Sequence, residues 1–577
     1  MGVRLRLGYA PRMLRPRRRR RRPSSLAIAI VGALIVTSCS SDSQVAITTT
    51  DSATATTASA DGTPSATDAG AVSDTTESDD TTGTGDSTGS ASTDHTTNTE
   101  GTTGTEGTTG TADTVAAGPT PDTSKEFGWN EKSDGVEEGH LAVPVDPDTP
   151  HGDTFDLYVV RHRALEQKER IGSLLVNPGG PGYGGTELAE FADQIYGQDI
   201  LDHFDIVAWD PRGTGQSTPA VDCVDQYDPF FALDSSPDTP AEQQAIVTAA
   251  TEFGKDCVAN DGSFLPFVST QNSAGDMDSI RAALGEDTIS YFGFSYGSEL
   301  GVAWASLYPE TVRAMVIDGA ADTTAGYLDQ NLQQAAGFES TFDTFLAACA
   351  KNKDCAFYNG GDPGKAFDAL SAKADKDPVA TTSGRPRVTQ GVLTTAVSDA
   401  MYDESYWPQL EAALADLQAG DGEGVLALYD DYYERTDDGT YGNELEAYFA
   451  INCLDDPGTK DPDELFGLQD EFAKVAPRLG ASWILELQFC ASWPIPAAPA
   501  VPIDAKGAGP IVVVGTTGDA ATPLEGTRHT SEALEDGHLI VVTADQHTGY
   551  GVNECVDSAV DDYLVSLEVP ANELECK

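Results

Sequence analysis

Gly293-Phe294-Ser295-Tyr296-Gly297 sets a serine between small residues, directly after the strand-like run 288–292 and before the helix-forming run 298–307. In that setting the glycines permit a sharp turn that pushes the Ser295 hydroxyl outward as a nucleophile. A buried turn with an idle serine is the competing reading. A serine hydroxyl needs a base near neutral pH, and the base needs an orienting carboxylate. Asp519 follows the apolar run 511–514, and His547 follows the run 539–542. Of the three C-terminal histidines, His529 falls in a helical pattern and His538 leads into a strand. His547, on a loop, is therefore the expected base. Asp545, two residues before it on the same loop, is the rival acid.

A second candidate feature is Asn177-Pro178-Gly179-Gly180-Pro181-Gly182, directly after the apolar run 172–176. Glycines let backbone amides approach a developing oxyanion. The amide of Gly180, paired with that of Tyr296 behind the nucleophile, is the expected oxyanion hole. A phosphate nest is the alternative, but no Gly-Lys-Ser or Gly-Lys-Thr follows, which disfavours a nucleotide P-loop. The loop from Asp210 to Ser217 also follows a strand; its Asp210 and Arg212 are expected to pair and brace it, with Ser217 as a conceivable second nucleophile.

These loops need a scaffold. Runs at 141–145, 155–160, 172–176, 204–209, 288–292 and 312–317 have strand character, and helical spacing lies between them at 274–284 and 298–307. Strand–helix alternation with apolar strands predicts an α/β fold, a mostly parallel sheet of about eight strands covered on both faces. The first two runs are expected to pair antiparallel at a sheet edge. Residues 322–507 lose the alternation and become helix-rich, with helices expected at 338–350, 409–419 and 468–475, before strand character returns at 511–514. The economical organisation is a core in two parts, 126–321 and 508–577, interrupted by a helical cap domain at 322–507. Trp483, Phe489 and Trp493 are expected to pack before they touch substrate.

The N-terminal segment is an address. Ten arginines stand in the first 22 residues, ahead of the apolar run 26–36, which is short for a transmembrane helix. Val36-Thr37-Ser38-Cys39 has the form of a lipobox, so 1–38 is expected to be a signal peptide and Cys39 a lipidation site. Export with lipid anchoring at the outer face of the cytoplasmic membrane or cell envelope follows. Residues 39–125 are Thr-, Asp- and Gly-rich, a composition unable to repay its ordering entropy, and serve as a tether.

With Cys39 assigned to lipid, eight cysteines remain: Cys223, Cys257, Cys349, Cys355, Cys453, Cys490, Cys555 and Cys576. An exported chain can hold them as disulfides, and pairing in sequence order is one of many connectivities open to them. No CxxC pair or Cys/His cluster suggests a metal. Across 577 residues, 93 acidic side chains against 34 basic ones give a formal charge of −59, which excludes nucleic acid as a natural partner. Such acidity suits salty surroundings, where self-repulsion is screened. Oligomeric state leaves no mark in the sequence.

The blocks 174–182, 204–217, 276–285, 291–301, 308–319, 450–455, 489–494 and 511–576 together resemble the actinobacterial tripeptidyl aminopeptidase family, secreted serine hydrolases of the α/β-hydrolase fold related to proline iminopeptidases. The resemblance implies a triad of Ser295, Asp519 and His547, a Cys555–Cys576 disulfide, no metal or organic cofactor, and hydrolysis of peptides from a free N-terminus. Reading an α-ammonium calls for a carboxylate at the cleft, for which Glu444 and Glu446 on the inserted region are candidates. The same triad cleaves esters, so an envelope carboxylesterase or lipase is the alternative. Two residues depart from the family pattern: Asn177 replaces the commoner histidine, and Glu299 puts a carboxylate on the helix after the nucleophile.

Overall fold

The computed structural model describes residues 126–577 apart from 383, 457 and 502. The signal peptide, the lipidation site Cys39 and the tether that begins with it lie outside the described residues. Ten strands form one sheet in the order β1-β2-β3-β5-β4-β6-β7-β8-β9-β10: β1 Asn130–Ser133, β2 Val136–Pro144, β3 Thr154–His162, β4 Gly172–Asn177, β5 Phe204–Trp209, β6 Ile289–Phe294, β7 Val312–Asp318, β8 Ile511–Thr516, β9 Gly537–Val542 and β10 Leu574–Cys576.

From β5 through β10 every pairing is parallel, while β1, β2 and β3 join antiparallel. The expected antiparallel pair is present, with Leu141 opposite Leu157. It does not form the edge, because β1 covers β2 and β3 continues onto β5. Two strands beyond the expected eight extend the sheet at its ends. β1 is exposed throughout and β10 is three residues long, so neither carries a hydrophobic period.

The central strands β4, β5, β6 and β8 are buried at every residue, as a parallel sheet covered on both faces requires. Alternate residues serve opposite faces. Leu175, Val207, Tyr291 and Ile317 pack beneath α1 (Thr270–Leu284) and α2 (Tyr296–Leu307), whereas Leu174, Ile206, Phe292 and Val316 join a second apolar layer with Val556 and Val560.

Between β7 and β8 the chain is helical, including α3 (Tyr327–Lys351), α4 (Gln390–Met401), α5 (Glu444–Asp455) and α6 (Trp483–Ser492). Phe342, Phe345, Val397, Leu414 and Tyr429 give this region an apolar centre of its own. α5 and α6 also reach the sheet's core. Phe449, Ile451 and Phe489 are buried with the sheet's core, and Phe231 stacks on both phenylalanines. α5 is therefore part of the body that the other helices stand on, while α6 spans both, with Trp483, Ile484 and Leu487 in the helical region's apolar centre. After β8 come α7 (Leu524–Ala533) and α8 (Glu554–Ser566).

Four disulfides join Cys223–Cys257, Cys349–Cys355, Cys453–Cys490 and Cys555–Cys576, the pairing in sequence order. The expected pairing of Asp210 with Arg212 also fails. Arg212 does not pair with Asp210; its guanidinium forks onto Asp276 at 2.7 and 2.6 Å, with both side chains buried. Asp210 instead accepts the Thr186 N–H and hydroxyl and the Gln216 N–H. Carboxylate and guanidinium sit two residues apart on a tight loop, so each turns to a different wall. Ser217 Oγ donates to the Asp210 carbonyl at 2.6 Å and accepts from Tyr158 N–H at 2.9 Å, which makes it a loop fastener.

Candidate active site

Ser295 stands at the junction of β6 and α2 with φ 54° and ψ −128°, a positive φ that few side chains tolerate. The neighbouring glycines make room for it. A Cβ on Gly297 would lie 2.8 Å from the Asn177 carbonyl oxygen, and one on Gly179 would lie 2.9 Å from both Ser295 Cβ and Tyr296 N. The glycine-rich loop is thus pressed directly against the serine turn. Asn177 Oδ1 accepts the Gly179 N–H at 2.9 Å, so the loop's next amide, that of Gly180, has no internal acceptor among the described residues. Tyr296 N opens α2, where helical geometry supplies no acceptor either. The two amides named from the sequence border one pocket.

His547 and Asp519 are brought together by the loops after β9 and β8. His547 Nδ1 lies 2.8 and 2.9 Å from the two Asp519 oxygens, and both side chains are buried. Asp519 is held in turn by the amides of Ala521 and Thr522 at 3.0 and 2.8 Å. Asp545, the rival acid, is half-buried and makes no such contact; it lines a separate polar pocket behind the loop. Nε2 of His547 is buried and forms no hydrogen bond with any described residue, Ser295 included.

The end of β7 ties serine to histidine. Ser295 N–H donates to the Asp318 carbonyl at 2.8 Å, and the Asp318 carboxylate accepts the Gly549 and Tyr550 amides, each at 2.8 Å. A Cβ on Gly319 would stand 3.0 Å from His547 Cε1. Burial pushes the Asp318 carboxyl up to about 7, while its two amide donors favour the charged form.

Three supporting residues escaped the sequence reading. Thr522 Oγ1 donates to Asp519 Oδ2 at 2.9 Å and lies 3.2 Å from His547 Nδ1. Tyr402, just past α4, accepts the His547 N–H on its carbonyl at 2.9 Å and sets its ring edge-on to the imidazole. Glu486 on α6 accepts the Tyr448 hydroxyl of α5. Thr522 alone had a local signal, since a threonine three residues after an aspartate can close an Asx-type turn.

Above Ser295 lies a cavity of about 270 Å³ lined by core and cap residues together. Aromatic side chains such as Tyr183, Tyr327, Tyr432 and Trp483 form much of its wall. Its charged residues are Glu299, Asp322, Glu434, Glu444 and Glu486, with no lysine, arginine or histidine. Burial raises the carboxyls of Glu444 and Glu486, and burial followed by the charge of Asp455 pushes that of Glu299 up to about 7. Glu446 is absent from this wall. Two residues along a helix is more than half a turn, so Glu446 faces the core and accepts the amides of Cys223 and Val224 at 3.0 and 2.8 Å. Of the two α-amine candidates only Glu444 reaches the cavity.

Residues 476–576 match the family described as TAP-like protein. Over 456 residues, 76% of this chain and 86% of the relative, the sequence is 36% identical to serine protease Hip1 of Mycobacterium tuberculosis (strain ATCC 25618 / H37Rv). It is 35% identical over 453 residues to carboxylesterase B of the same strain, covering 76% of this chain and 85% of that one. Tripeptidyl aminopeptidase of Streptomyces lividans is 30% identical over 464 residues, 76% of this chain and 83% of the relative. With that coverage and the sheet described above, the chain belongs to the tripeptidyl aminopeptidase family of α/β-hydrolases.

Proposed function

We propose that this protein is a serine peptidase of the cell envelope that removes short units from the free N-terminus of peptides. The observation that carries this reading is the cavity over Ser295, whose lining includes Glu299 and Glu444 and no lysine, arginine or histidine. Burial makes the charge of such carboxylates costly, and an arriving α-ammonium would relieve that cost. A neutral acyl ester offers no such compensation.

In the first step the Ser295 hydroxyl proton passes to His547 Nε2 as Oγ bonds to the scissile carbonyl carbon. The oxyanion forms beside the amides of Gly180 and Tyr296. Collapse breaks the C–N bond, and His547 returns its proton to the departing amine. Water then gives a proton to His547 and attacks the acyl carbon, releasing the peptide acid and restoring Ser295. Asp519 holds the imidazole so that Nδ1 keeps its hydrogen and Nε2 is left to exchange the proton. These roles need no metal or organic cofactor. Export through residues 1–38 and a lipid on Cys39 would place this chemistry outside the cytoplasmic membrane, with the acidic tether as spacer.

The test compares a tripeptidyl amide with a free amine, its N-acetylated form and a short acyl ester, alongside fluorophosphonate labelling of Ser295. Labelling with strong preference for the free amine is expected. Equal turnover of the acetylated peptide overturns exopeptidase action, and turnover of the ester alone moves the protein to the carboxylesterase reading. Metabolic labelling with a fatty-acid probe checks the anchor and should be lost in Cys39→Ala.

A further inference from the structure

Glu299 differs from the other carboxylates of the cavity in belonging to the helix of the nucleophile. Ser295 caps α2 and Glu299 follows one turn later, so the two occupy one helix face about 6 Å apart along the axis. Asp322 is committed to His529 and Gln333, and Glu486 holds the Tyr448 hydroxyl. Glu299 has no hydrogen bond or ion pair with any described residue, and it is half-buried in the cavity wall. Behind it stands Asp455, a second carboxylate, itself fastened to the Thr270 amide and hydroxyl. Two neighbouring acids in a partly dry wall favour a cation between them and the cavity. With no basic side chain lining the space, that cation has to arrive with the substrate.

We infer that Glu299 receives the α-ammonium of substrates whose N-terminal unit is one or two residues long, giving this chain a short register beside a longer one read by Glu444. The inference rests on the exopeptidase reading above. At about 3.3–3.6 Å per residue, two extended residues cover the roughly 6 Å between the Ser295 and Glu299 positions. A third residue carries the amine past α2 toward the cap helices. The departure of Glu299 from the family pattern thereby becomes a determinant of product length.

The experiment measures kcat/KM for alanyl, dialanyl and trialanyl p-nitroanilides and for N-acetyl-dialanyl p-nitroanilide, in the wild-type chain and in Glu299→Gln. The variant is expected to lose about tenfold to a hundredfold on the alanyl or dialanyl substrate relative to the trialanyl one. Its preference for dialanyl over N-acetyl-dialanyl should shrink by a similar factor. Both readouts are ratios within one preparation, so the folded fraction cancels. An equal effect on all three lengths, no effect at all, or wild-type turnover of the trialanyl substrate alone overturns the short register while leaving exopeptidase action intact. Wild-type enzyme indifferent to acetylation would defeat the underlying reading instead.

Discussion

The carbonyl of Tyr402 accepts the N–H of His547 at 2.9 Å, and the Tyr402 ring meets the imidazole edge to face with centroids 5.7 Å apart. Tyr402 also lines the cavity and packs against Phe338 of α3. One residue of the inserted region therefore touches both the expected base and the space the substrate would fill. Tyr402→Ala keeps the carbonyl and loses the ring. An edge-to-face contact contributes about 0.5–1.5 kcal/mol, so kcat should fall about twofold to tenfold, with the change measured by steady-state kinetics. Unchanged kcat would mean that the ring serves the cap alone.

Thr522 is the second support. Its hydroxyl occupies the angle between Asp519 and His547, where it steadies the carboxylate that orients the ring. Thr522→Val is close in volume and removes only the hydrogen bonds. It should lower kcat about tenfold with KM little changed, and Thr522→Ser should recover most of the loss. A change confined to KM would place Thr522 in substrate binding.

The acidic wall makes the response to pH depend on the substrate. Burial raises the carboxyls of Glu444 and Glu486, and that of Glu299 reaches about 7, so each is neutral at low pH and becomes charged as pH rises. An α-amine loses its charge near about 8. For a free-amine peptide kcat/KM should climb through about pH 7 and decline above about 8, whereas the N-acetylated peptide should lack the upper decline. Superimposable profiles for the two substrates would contradict amine recognition by these carboxylates.

Arg212 and Asp276 carry stability. The pair is buried, and Arg212 also donates to the carbonyls of Pro144, Val145 and Phe267. Arg212→Leu strands a buried carboxylate and three acceptors, and should cost about 3–5 kcal/mol in denaturant unfolding. Adding Asp276→Leu should recover part of that loss, because it removes the uncompensated charge. A single variant as stable as the wild type would show that solvent reaches Asp276.

Short motifs determined much of this protein without coordinates. The turn at Ser295 was legible because glycines fit where a side chain would strike Ser295, Tyr296 or Asn177, and that constraint is local. Parallel strands announced themselves because a strand buried on both faces has to be apolar throughout. Asp519 and His547 could be chosen because each follows a strand in its own loop. The acidic balance likewise argues against a polyanionic partner without coordinates, since net charge needs no fold.

Folding decided what depends on meetings between distant segments. Sequence offered Glu444 and Glu446 equally, and only the packing of α5 turned one to the cavity and the other to the amides of Cys223 and Val224. Asp210 and Arg212 looked like partners from their spacing, yet the guanidinium reaches Asp276 across 64 positions of chain. β1 and β10 acquire strand geometry from neighbours already in place, as short exposed segments must. Tyr402 and Glu486 gained their places through contacts with His547 and Tyr448, and no periodicity or motif records a contact between helices that the chain brings together only on folding.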